Sequence, residues 1–147
     1  MLIYLARIMK TVARVRVESP VYPTEDAAKV KAACLNVFPD LAFTAGADGI
    51  VGEGSDLDRL RELVRNQKIR DTARDVLVRG RRGFVVRFSL NKQAAFVGRV
   101  NFAGGTAPLG DIAVVLEDPD TDALIEHLAE STIGHRLTGS RGRIEGT

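Results

Sequence analysis

From Thr11 to Glu18 apolar and polar residues alternate, with Ala13, Val15 and Val17 on one side and Val12, Arg14, Arg16 and Glu18 on the other. A period of two sends successive side chains to opposite faces, so the segment reads as a half-buried strand. Ser19-Pro20 and Pro23 end it. Thr24 is then placed to cap a helix whose first turn holds Glu25 and Asp26, acids that suit the positive end of the helix dipole. Ala27, Val30, Ala33, Cys34 and Val37 recur on its inner side, and Pro39, with no backbone donor, stops it.

Leu41 to Thr44 and Gly49 to Glu53 are short strands around the Ala45-Gly46-Ala47-Asp48 turn. Ser55-Asp56-Leu57-Asp58 resembles a capping box with Asp in place of Glu, and Leu57, Leu60 and Val64 follow at helical spacing. The apolar phase then slips to Ile69, Ala73, Val76 and Leu77, which predicts a break near Asn66-Gln67. After the Gly80-Arg81-Arg82-Gly83 turn, Phe84, Val86 and Phe88 alternate with Val85, Arg87 and Ser89. Asn91 to Ala95 is a short turn or helical turn. Phe96 to Phe102 resumes period two, with Phe96, Gly98, Val100 and Phe102 against Val97, Arg99 and Asn101. A glycine-rich loop, 104–110, precedes a strand from Ile112 to Leu116. Asp118-Pro119-Asp120 opens a last helix through Glu130, with Leu124, Ile125 and Leu128 as its apolar positions.

The order of elements implies an α+β fold of two layers, a mostly antiparallel sheet with helices on one face. One domain is expected over residues 9–133. Residues 1–8 read as an added strand or an extension ahead of Met9, too short for a bilayer span and without a signal-peptide pattern. Residues 134–147 have no apolar period and are expected to be mobile.

A chain of 147 residues, 45% hydrophobic and 27% charged, is long enough for one core and far from the disordered class. Its one cysteine forms no intrachain disulfide and no zinc spacing surrounds it, so a reducing, cytoplasmic setting is expected. The net charge of +2 says little, but its distribution says more. From Arg59 to Arg99 the local net is +9, and from Val100 to His135 it is −7. Such asymmetry fits a nucleic acid or an acidic partner, and it fits equally a fold that pairs the two regions with each other.

If the phenylalanines point inward, Arg14, Arg16, Arg87, Arg99 and Asn101 project from a helix-free sheet face. Guanidinium forks there suit phosphate oxygens, contacts that position a backbone without reading sequence. The same arginines could simply keep that face soluble or meet a dimer partner. Phe84, Phe88, Phe96 and Phe102 share parity with core valines, which argues against stacking bases on the sheet and for backbone or duplex-shape recognition. Arg70 and Arg74 lie one helical turn apart, either in a binding stripe or pairing with acids on a solvated face. Arg81 and Arg82, between glycines, could present two side chains to one run of phosphates.

No complete active site is visible. Gly52-Glu53-Gly54-Ser55 reads as a helix-starting turn more than an anion nest, because acids already crowd it. The loop 104–110 lacks the endings of a P-loop or a dinucleotide fingerprint. His127 and His135 have no metal-binding context, Cys34 sits on an apolar helix face, and Asp71 with Asp75 suits salt bridges better than magnesium. No cofactor, metal site or catalytic residue is expected.

Three segments carry a resemblance: Glu18-Ser19-Pro20-Val21-Tyr22-Pro23-Thr24-Glu25-Asp26, then Gln67-Lys68-Ile69-Arg70-Asp71-Thr72-Ala73-Arg74, then Leu90 to Phe102 with its Asn-Lys-Gln-Ala-Ala-Phe-Val-Gly core. In that order they resemble a family of uncharacterised archaeal proteins whose domain label is RNA-binding, over about Met9 to Glu130. The resemblance implies a fold similar to the ribosomal large-subunit protein that binds 5S ribosomal RNA. It adds Lys92 to Arg70, Arg74, Arg99 and Asn101 as matching polar positions. The leading expectation is a non-enzymatic binder of structured RNA, ribosome- or RNP-associated. The alternative is a protein-interaction module, such as a homodimer, in which basic and acidic regions meet. A membrane partner is not expected.

Overall fold

The computed structural model describes residues 13–46, 49–103 and 111–130. Six strands, β1 (Arg14–Pro20), β2 (Ala42–Ala45), β3 (Gly49–Gly54), β4 (Arg81–Arg82), β5 (Val85–Asn91) and β6 (Asp111–Glu117), form one sheet in the order β2-β3-β1-β6-β5-β4, every pair antiparallel. The helices are α1 (Ala27–Val37), α2 (Asp58–Asn66), α3 (Arg70–Arg79), α4 (Lys92–Phe96) and α5 (Thr121–Leu128). Helix α1 lies beside α4, and α5 lies beside α2 and α3. The expected α+β architecture is thus present, while the glycine-rich loop, the first eight residues and the tail after Gly134 lie outside the described residues.

The core fills the space between one sheet face and this helical layer. Val15, Val17, Val86, Leu90, Ile112, Val114 and Leu116 point into it from alternate strand positions, and Val30, Val37, Leu60, Val64, Leu77 and Leu124 meet them from the helices. Each large aliphatic side chain so enclosed contributes about 1.5–3 kcal/mol through loss of apolar surface to water. The pleat then fixes the other face. Arg14, Arg16, Glu18, Glu53, Arg87 and Glu117 stand exposed on it, and no helix among the described residues covers them.

The chain breaks where its apolar phase slips. Helix α2 ends at Asn66, Lys68 takes a φ of 59°, and α3 starts at Arg70 on a new axis, so each helix keeps its own stripe against the core. Gly80 follows α3 where β4 begins. A Cβ there would lie 1.9 Å from the Arg87 carbonyl oxygen, so only glycine lets the two strands close into a hairpin.

Four local expectations are corrected. Thr24 does not cap α1. Asp26 does, accepting from the Ala28 N–H at 2.9 Å, because Glu25 is drawn away into the interior. The helix therefore begins at Ala27, which is exposed and not on the inner side. Ser55 does not form a capping box. The Asp56 carboxylate accepts from Asp58 N–H, and Asp40 reaches across to accept from the Ser55 and Asp56 N–H groups at 2.9 and 3.2 Å. The donor-rich turn is thus filled by the chain's own carboxylate. Finally, Phe96 to Phe102 is no strand. Asn91 caps α4 through Ala94 N–H at 2.8 Å, which winds Phe96 into the helix, and Gly98 at φ 77° turns the chain back. Only Phe102 pairs with β5, opposite Leu90.

Two rings expected inside are therefore outside. Phe88 is buried and Phe102 packs edge-on against it at 5.8 Å, but Phe84 is 65% and Phe96 48% exposed. Phe84 has the right parity but precedes the first residue of β5, at the end of the sheet. Inward parity buries a side chain only where something lies above it.

Candidate nucleic-acid interface

The positive charge of the sequence divides into two populations. Many of those on the helical side are spent within the fold. Arg70 donates to Glu130 at 2.8 Å, and Arg74 donates to Glu126 at 2.9 Å and to the Ala129 carbonyl at 3.0 Å. Arg61 donates to the His127 carbonyl at 2.8 Å, and Arg81 binds Asp122 in the first turn of α5. Three guanidiniums thus converge on the C-terminal end of α5, where unpaired carbonyls and the negative end of the dipole favour cations. The +9 and −7 segments are partly each other's partners, through Arg65, Arg70, Arg74 and Arg81 with Glu130, Glu126 and Asp122. Arg70, Arg74 and Arg81, all candidates for phosphate contact, are here structural clamps. Asp75 likewise pairs with Arg79 at 3.1 Å within α3.

Lys92 departs furthest from expectation. It is only 5% exposed, and its ammonium donates to the Pro20 carbonyl at 2.8 Å and to both Glu25 oxygens at 3.1 and 3.2 Å, with the Tyr22 ring 5.4 Å away. Such a group offers nothing to an external phosphate. Instead it ties together two of the three segments that carry the family resemblance. The third is tied in by Gln67, whose amide donates to the Val100 carbonyl and whose oxygen accepts from Val100 N–H, both at 2.8 Å. Neither Glu25 nor Gln67 was legible as a partner, since these contacts span 67 and 33 residues and no local period encodes them. Cys34 lies in the same interior, where burial pushes its thiol up to about 11 against the opposing pull of the Lys92 charge.

The open face has two halves. On the β3–β1 half, Arg16 is held by Glu18 at 3.0 Å and Glu53 at 3.3 Å, and Arg14 lies 3.9 Å from Glu117. These candidates are exposed but paired with acids, so that half is close to neutral. On the β5–β4 half, Arg87 stands opposite the uncharged Val115, and its guanidinium has no hydrogen bond or ion pair among the described residues. Arg82, exposed on β4, donates only to the backbone carbonyls of Arg79 and Arg81, at 3.1 and 2.6 Å.

Ser89, Asn91 and Asn101 extend this half. Asn91 N–H donates to the Asn101 carbonyl at 2.8 Å and Ala103 N–H to the Ser89 carbonyl at 2.9 Å, so the return segment lies along the end of β5. Phe102 faces the core with Leu90, and alternation places Asn101 on the open side with Asn91 and Ser89. Arg99, exposed and with no side-chain partner among the described residues, sits just before it. Of the candidates, Arg82, Arg87, Arg99 and Asn101 are therefore brought to one edge. Asn91 is half-buried there, its carboxamide oxygen already engaged in capping α4.

Elsewhere the surface is less suited to phosphate. A cleft of about 660 Å³ at the end of the sheet where β1 starts and β6 ends is lined by Asp56, Asp58, Asp118, Asp120 and His127, with His127 3.4 Å from Asp58. Among the described residues no group of His, Cys, Asp or Glu is arranged to hold a metal ion, and no helix is long and apolar enough to cross a membrane.

A family model described as "RNA binding" matches residues 14–117. A UPF0201 protein of Thermococcus onnurineus is 45% identical over 125 residues, covering 80% of this chain and 92% of its own. One from Pyrococcus horikoshii is 42% identical, covering 85% and 95%. The crystal structure of a UPF0201 protein from Methanococcus jannaschii superposes with a TM-score of 0.74 at 36% identity, covering 81% of this chain and 94% of that one. With a family model spanning most of the chain and relatives matched nearly end to end, the chain belongs to the archaeal UPF0201 family.

Proposed function

We propose that this protein binds the phosphate backbone of structured RNA along the β5 side of its open sheet face, as a cytoplasmic, ribosome- or RNP-associated protein and not as an enzyme. The observation that carries the reading is the contrast within that face. Beside a half whose arginines are neutralised stand Arg82 and Arg87, with no acid partner among the described residues, flanked by the Ser89 hydroxyl and the Asn101 amide. Guanidiniums engage phosphate oxygens in pairs, and hydroxyls and amides complete contacts to phosphate and the ribose 2′-OH. The description of the matching family model supports the same reading. A fold likeness to the ribosomal protein that binds 5S ribosomal RNA belongs to this proposal as well.

The test is a salt titration of binding to a structured RNA hairpin. Affinity should fall as salt rises, and Arg82→Gln with Arg87→Gln should reduce the slope by roughly 0.7–0.9 per lost phosphate contact. Arg70→Gln should leave the slope unchanged. Binding that ignores salt and both open-face substitutions would overturn the reading. One observation favours a second: Val85 and Val115, diagonal neighbours on β5 and β6, are only half-buried on the same face, an apolar spot that a second copy could cover. A homodimer through this face would show a concentration-dependent mass, lost on Val115→Glu.

A further inference from the structure

A cleft of about 310 Å³ runs between α1 and α4, on the helical side of the sheet. Val30 and Ala33 form its apolar floor, Phe96 stands half exposed at its wall, and Thr24, Lys29 and Gln93 line its rim. Its inner end is closed by the Lys92–Glu25 pair, whose ammonium is already engaged by the Pro20 carbonyl and both carboxylate oxygens. The ring is not on a loose loop. Asn36 donates from α1 to the Ala95 and Phe96 carbonyls at 2.9 and 3.1 Å, which holds the end of α4 in place.

We propose, resting on the RNA reading above, that this cleft receives one unpaired nucleobase stacked on Phe96, where an RNA strand leaves the open face. Four features select that occupant. The space lies at the small end of ligand pockets, too confined for a folded peptide. An aromatic wall beside an apolar floor suits a flat ring with two apolar faces, and stacking on it tolerates any base. The Gln93 carboxamide offers both a donor and an acceptor to a base edge, and Lys29 offers a cation to the adjoining phosphate. Asp26, the nearest exposed acid on the rim, is occupied by the Ala28 N–H. The route is short as well. Gly98 at φ 77° turns the chain from Phe96 straight into Arg99 and Asn101, so cleft and open-face edge are two ends of one return segment. Backbone contact on the sheet and base contact in the cleft then divide the work, one for affinity and one for recognising unpaired nucleotides.

The experiment compares a short oligouridine, a short oligoadenosine and a blunt RNA duplex of the same length, each titrated into the full chain at low salt. Phe96→Ala should weaken both single strands by roughly 10- to 100-fold and leave the duplex unchanged. Phe96→Trp should keep single-strand affinity. Because the chain has no tryptophan, its emission reports the cleft alone and should be quenched by single strands but not by the duplex. Position 96 is at the surface, so matched melting curves of wild type and both variants verify that the fold is intact. If Phe96→Ala binds single strands as wild type does while Arg87→Gln weakens all three probes, the cleft proposal falls and the RNA reading stands. Equal weakening of strands and duplex by Phe96→Ala also overturns the cleft. If wild type binds none of the probes, both fall together.

Discussion

The helical side of the sheet carries most of the basic residues and its open side only a few, and the two sides use them differently. On the helical side, Arg61, Arg70, Arg74 and Arg81 close on α5, and Lys92 is sealed against Glu25. On the open side, Arg82 and Arg87 are exposed with no acid partner among the described residues. The difference teaches that charge density along a sequence is not charge density on a surface. Part of the most basic stretch of the chain is taken up by the acidic stretch that follows it. What remains for a polyanion is a smaller set, on β4 and β5, which carry no carboxylate of their own, with Asp111 and Glu117 on the neighbouring β6.

The sharpest way to break the comparison is to remove the most deeply spent charge. Lys92→Ala leaves Glu25 uncompensated in the interior and should destabilise the chain by about 3–5 kcal/mol, read as a lower urea midpoint. A change within experimental scatter would mean that the pair is open to solvent. Lys92→Met, which leaves the same carboxylate unpaired but refills the volume, separates loss of charge from loss of packing.

Next in size is a pH effect from the same interior. Burial raises the Cys34 thiol from 9.0 to about 11. Between those values the unfolded chain has released its proton while the folded chain keeps it. The folded state then binds more protons, so stability falls as pH rises, and the contribution is fully present below 9.0. About 2–3 kcal/mol should be lost across the window, since each tenfold change in proton affinity is worth about 1.4 kcal/mol. Cys34→Ala supplies the baseline. A wild type and variant whose difference does not change between pH 9.0 and about 11 would place the thiol in water.

Smaller again is the clamp on α5. Arg70→Gln combined with Arg74→Gln should cost about 1–2 kcal/mol, because the pairs are partly exposed but one guanidinium also satisfies a helix-end carbonyl. RNA affinity should be unchanged. A large loss of affinity at full stability would move these arginines back into the interface.

Much of this was legible from alternation alone. Val15 and Val17 are inside and Arg14 and Arg16 outside, because a strand against helices has only two faces. The slip of apolar phase placed the α2–α3 break correctly, since two stripes offset from each other cannot both face one core on one axis. Failures came where a residue's fate was set by a distant partner. Glu25 left the helix start for Lys92, Asn91 used its side chain to wind α4, and Phe84 had the correct parity with nothing above it. Resemblance singled out Lys92 as a candidate without giving its direction. A lysine that seals two segments and a lysine that grips phosphate look identical in sequence.

The finest test reverses the open face instead of breaking it. If acid partners alone separate its two halves, removing them should convert one half into the other. Glu18→Gln with Glu53→Gln releases Arg16, which they now hold at 3.0 and 3.3 Å. Stability should change by less than about 1 kcal/mol, as expected for exposed ion pairs. RNA binding should tighten several-fold and the salt slope steepen by roughly 0.7–0.9, the mark of one more phosphate contact. The location of Arg16 gives the test its force. It stands on β1, two strands from β5 with β6 between, so a gain there means that the RNA footprint spans the sheet, whereas no gain confines it to the β5 edge. In the second case Arg87→Gln should still weaken binding, and the acids on β1 and β3 would act as a fence that sets how far the RNA can reach.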